Sequence, residues 1–155
     1  MKNIYISWVI SILLSFLGFY LIENTFTIKP DVISGNGNLG MLIILLLSPL
    51  FITSYFLTYK LSKEISYNTM NRIKRIFFLS ISFICCVLLI FPIVSYTSEL
   101  IIALGGTPSN PDSRIYRFGW FNQYTNSIYF NVYTFLLTHI IVAIIGFLSI
   151  KRMKP

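Results

Sequence analysis

The segment Ile76–Ser98 reads IFFLSISFICCVLLIFPIVSYTS and contains no Lys, Arg, Asp or Glu. Three other stretches share that property: Ile4–Ile22, Leu39–Tyr59 and Ile128–Ile150. Each is about 19 to 23 residues long, so a helix built from it reaches roughly 28–35 Å at 1.5 Å per residue. A hydrocarbon layer is about 30 Å thick. The pattern predicts an all-α integral membrane protein: one membrane domain over residues 1–155, a small bundle of four transmembrane helices. The outer loops would be 23–38 and 99–127, and the inner loop 60–75.

Composition supports lipid as the solvent. Hydrophobic residues make up 55% of the chain and charged residues 11%, where a soluble domain carries about 25% charge. A β-barrel is disfavoured, because barrel strands alternate in polarity and Ile43–Leu47 (IILLL) does not.

The net charge of +7 is distributed unevenly. Lys2, Lys60, Lys63, Arg72, Lys74, Arg75, Lys151, Arg152 and Lys154 fall at the termini and in the 60–75 loop. Only Lys29, Arg114 and Arg117 fall in the other two loops. Basic residues concentrate on the cytoplasmic side of a membrane, so both termini are expected there. The charge then reports topology, with attraction to anionic headgroups as a secondary effect, and gives no reason to expect nucleic acid. A multi-pass protein of a plasma membrane is the reading. Abundant Ile, Asn and Lys with scarce Ala fit an AT-rich bacterial gene. The first apolar run is long for a signal peptide and lacks a small-residue cleavage site, so it is expected to stay as a span. No lipidation signature is present.

The first span carries Ser7, Ser11, Ser15 and Gly18 at spacings of 4, 4 and 3. Small residues on one face let a second helix approach closely, within this bundle or on a partner. Pro49 and Pro92 lie inside spans two and three, where each removes a backbone hydrogen bond and predicts a kink. Neighbouring hydroxyls are expected to re-satisfy the freed carbonyls. Lys60, Lys63 and Glu64 suggest that helix two outruns the membrane, with Asn68, Thr69 and Asn71 breaking or recapping it. Leu100–Leu104 would prolong helix three until Gly105-Gly106 stops it. Ser34–Asn38 (SGNGN) is turn chemistry.

Two constellations are candidates for function. In span four, Asn131, Thr134 and Thr138 share a helical face, with His139 one position away. An ionisable group at bilayer depth warrants a functional hypothesis, set against a simple hydrogen bond to a neighbouring helix. In the long outer loop, Tyr116, Phe118 and Trp120 alternate, flanked by Arg117, Phe121 and Tyr124. Such rings either settle at the headgroup layer or form a recognition surface.

The chemistry inventory excludes more than it supports. Cys85 and Cys86 are adjacent inside a span and build no disulfide framework or zinc spacing. One His cannot supply both axial ligands of a haem or a protease metal site. Phosphate-loop and dinucleotide motifs are absent. No catalytic motif and no cofactor is therefore expected. The expected function is contact with another membrane protein: an accessory subunit, regulator or protective factor of a membrane complex. The alternative is a small transporter or channel, formed as a homo-oligomer around the polar face of helix four.

Overall fold

The computed structural model describes residues 2–33, 35, 37–68 and 71–149. Ser34, Asn36, Thr69, Ile150, Lys151, Arg152 and Lys154 lie outside them, as does the side chain of Lys2. The described residues are helical, with no strand. Helix α1 spans Lys2–Leu21 and runs into a π-helical turn, Ile22–Phe26. Helix α2 spans Leu39–Asn68, and α3 spans Arg72–Ala103. Two short helices, α4 (Arg114–Phe118) and α5 (Asn126–Tyr129), precede α6 (Val132–Leu148). Four helical stretches are long and apolar enough to cross a membrane: Asn3–Phe26, Leu39–Asn68, Arg72–Ala103 and Asn126–Leu148.

Helix ends follow the local chemistry. Asn71 caps α3, its side chain accepting from the Lys74 N–H at 3.0 Å. Gly105 (φ 88°) and Gly106 (φ 107°) end α3 in the left-handed region, and the Gly106 N–H reaches back to the Ile101 carbonyl at 2.9 Å. At 30 and 32 residues, α2 and α3 measure about 45 and 48 Å. Both therefore exceed one hydrocarbon thickness, and both are longer than the charge-free segments that predicted them.

The bound of helix two at Tyr59 falls short: residues 60–68 are the last turns of α2, the extension that Lys60, Lys63 and Glu64 suggest, with Leu61, Ser62 and Ser66 buried. The Ser66 hydroxyl donates to the Phe147 carbonyl at 3.3 Å, so this extension packs against the end of α6. Ile128–Ile150, expected as one helix, is not one. It breaks between α5 and α6, where Asn131 adopts an extended backbone (φ −137°, ψ 172°).

Helix α6 lies at the centre of the bundle. It packs on α2 and on α3, while α1 packs on α2. The α1–α2 contact uses Gly18, where an added Cβ would stand 2.9 Å from the Phe51 ring and 3.0 Å from Leu47. Ser11 and Ser15 are buried beside it, and Ser7 is exposed. The small-residue face is thus an internal packing face for three of its four members. Phe19 is the hub of the core, with ring centroids 4.9 Å from Phe51, 5.1 Å from Phe130 and 5.3 Å from Phe135. Ile22 completes this cluster.

Candidate functional site

The polar residues of span four meet partners inside the chain. His139 is buried between the rings of Phe135 and Tyr55, at centroid distances of 4.2 and 4.5 Å. Its Nδ1 lies 2.9 Å from the Phe135 carbonyl. A carbonyl only accepts, so Nδ1 carries a hydrogen. In the neutral ring Nε2 then accepts from the Ser54 hydroxyl of α2, 3.1 Å away. One position earlier, Thr138 and Tyr55 share a hydroxyl–hydroxyl bond of 3.0 Å. The Trp8 indole donates to Thr58 at 2.9 Å, extending the polar seam to α1. Nothing in the sequence reading singled out Ser54 or Thr58.

Asn131 and Thr134 act at a helix end rather than along a helix face. The Asn131 side chain accepts from the Thr134 N–H at 2.9 Å, and the Thr134 hydroxyl accepts from the Asn131 N–H at 3.0 Å. This is a capping box in which threonine takes the place of the usual Glu or Gln. The Asn131 amide also donates to the Ser127 carbonyl at 2.7 Å, bridging the break. Glu23 accepts from the Val132 N–H at 3.2 Å, which places a carboxylate at the positive end of α6. A broken helix leaves orphan backbone groups, and these side chains satisfy them.

The prolines sit in unbroken helices. Pro49 deprives the Leu45 carbonyl of its helical partner, and the Ser48 hydroxyl donates to that oxygen at 2.8 Å. Beside Pro49 a cleft of about 310 Å³ opens between α2 and the α5–α6 break. Phe19, Ser48, Tyr55, Phe130 and Thr138 line it.

The 99–127 loop is a folded cap. Leu104, Ile115 and Tyr124 form a second small core, packed on by Ile28, Leu100 and Ile101. Buried Ser113 caps α4, accepting from the Tyr116 N–H at 2.9 Å and donating to the Thr107 carbonyl at 3.0 Å. Thr125 closes the next turn by donating to the Trp120 carbonyl at 2.7 Å. Arg114 lies 4.4 Å over the Tyr124 ring and donates to the Val32 carbonyl at 2.8 Å, tying the 99–127 loop to the segment before α2. Asn38 and Asn126 pair through their amides, with one bond of 2.6 Å. Gly40 lets Asn126 approach, since an added Cβ would collide with that amide.

This cap sorts the aromatic residues. Tyr124 is 2% exposed and belongs to the cap's core, not to a recognition face. Tyr116, Phe118, Trp120 and Phe121 are 59%, 48%, 41% and 67% exposed, and Arg117 is exposed with them. Their alternation does not mark an extended segment, because Tyr116 and Phe118 lie on α4. Phe121 stacks on Tyr129 at 4.8 Å, anchoring the rim to α5. Among the described residues no three His, Cys, Asp or Glu side chains gather to hold a metal ion. No family model, curated protein or solved structure matches this chain.

Proposed function

We propose that this chain is a four-span protein of a bacterial plasma membrane, with both termini and the α2–α3 turn in the cytoplasm and the cap outside. It works through contacts, as an accessory subunit, regulator or protective factor of another membrane component. The observation that carries this reading is the cap. A base of bonded polar groups and a private core holds Tyr116, Phe118, Trp120 and Phe121 outward. Aromatic rings on a rigid support lose little entropy when they dock. The asymmetric basic residues support the orientation. The oligomeric transporter has less support, because Asn131, Thr138 and His139 direct their polar atoms to neighbours within the chain.

A photo-crosslinking residue at position 120, in native membranes, tests the proposal. A discrete protein adduct is expected, and Trp120→Ala should weaken capture of that protein about 30-fold or more, as for a ring at a binding hot spot. The folded fraction should remain unchanged. Adducts to lipid alone would sink the recognition role and leave the rim as a headgroup anchor.

A further inference from the structure

The α3–α6 seam contains an open groove of about 460 Å³, lined by Leu79, Ser80, Phe83, Ile84, Ile144 and Leu148. That volume falls within the usual range for ligand sites, about 300–1,000 Å³. The ring pair Phe78–Phe147, centroids 5.0 Å apart, stands beside it. One turn below the groove, α3 turns basic. Arg72, Arg75, Leu79 and Phe83 follow one another at spacings of 3, 4 and 4, so they share a helical face. Helical side chains lean toward their own N-terminus. Arg75 thus leans away from the groove, toward the end of the bundle that carries the basic residues. It is half-buried, whereas Arg72, Ile73 and Lys74 are exposed.

We propose that this groove and the two arginines form a binding site for an anionic phospholipid of the cytoplasmic leaflet. One acyl chain lies along Leu79, Phe83 and Ile144, and the headgroup phosphate meets Arg72 and Arg75. The site rests on the membrane reading given above. Its selectivity comes from the charges. In a bilayer the groove gains little by exchanging one hydrocarbon tail for another, since tails are as apolar as the side chains they touch. The arginines discriminate by charge, favouring a headgroup with a net negative charge over a zwitterionic one. Each basic group near the membrane surface is worth roughly fivefold in affinity for anionic lipid.

Native mass spectrometry of the full chain tests this, using micelles with equal phosphatidylglycerol and phosphatidylcholine. The wild type is expected to retain phosphatidylglycerol preferentially. Arg72→Gln with Arg75→Gln should lower that preference about tenfold or more, while Arg72→Lys with Arg75→Lys keeps most of it. Ile84→Trp, which fills the groove without changing charge, should reduce retention of both lipids. Equal retention of the two lipids by the wild type would overturn the site, as would an unchanged preference in the glutamine variant. Full retention by the groove-filled variant would overturn it as well. A dimer crosslinked through positions 80 and 84 would put a second copy in the groove and defeat the lipid. A chain that stays monodisperse without amphiphile defeats the membrane reading itself, a result distinct from all of these.

Discussion

Helix α6 makes two long seams, and they are built differently. Against α2 it uses a glycine, a histidine and a set of hydroxyls: Gly146 beside Tyr59 and Ser62, His139 bonded to Ser54, and Thr138 bonded to Tyr55. Against α3 it offers a ring pair and the open groove. Ser82 is the only residue of α3 that is buried. Phe77, Phe83 and Phe91 are 65%, 67% and 77% exposed. In water such a helix would be driven inward. In lipid that drive is absent, and helices adhere through close packing and interhelical hydrogen bonds. The contrast teaches which contacts hold the bundle. The α2–α6 pair is the closely packed, hydrogen-bonded centre, whereas α3 meets α6 through apolar contacts such as Phe78–Phe147 and meets the cap at Leu100 and Ile101.

The sharpest way to break this comparison is Gly146→Leu. A Cβ there would stand 2.7 Å from the Tyr59 carbonyl oxygen and 2.8 Å from Ser62 Cβ. Neither atom is the free end of a flexible side chain, so the helices must separate. A loss of about 3 kcal/mol is expected, at the upper end for overpacking, read from denaturant unfolding in micelles. A loss under about 1 kcal/mol would mean that the seam is loose. His139→Leu comes next. It removes the bonds to Ser54 and Phe135 but keeps much of the volume, and Ser54 can still donate to the Phe51 carbonyl at 2.9 Å. The expected loss is about 0.6–2 kcal/mol, the range for polar contacts between membrane helices. Phe91→Ala is the smallest. The ring is 77% exposed, so stability should stay within about 0.5 kcal/mol of the wild type. A loss above 2 kcal/mol would show that a neighbouring chain covers α3.

Much of this organisation was legible in the sequence wherever it is local. The four long apolar helices, the cap at Asn71, the stop at Gly105-Gly106 and the hydroxyl repair beside Pro49 all follow from neighbours within a few residues. The failures have physical reasons. A spacing of three between Asn131 and Thr134 suits both a polar helix face and an N-terminal capping pair, and the apolar run around them hid the break. Tyr124 resembled its exposed neighbours because nothing nearby announces that Arg114 and Ile28 will pack against it. Pairings such as Ser54 with His139, 85 residues apart, have no signature in one chain. The polar residues of span four were therefore found, but their partners were not. For the cap, the rim was visible and its foundation was not.

The pinch at Gly146 and the cleft beside Phe130 lie at opposite ends of the same helix pair. Gly40, pressed against the Asn126 amide, makes a second pinch at the cap end, so α2 is held close on both sides of the cleft. A side chain larger than hydrogen at either glycine would therefore displace the cap or the basic end relative to the rest of the bundle.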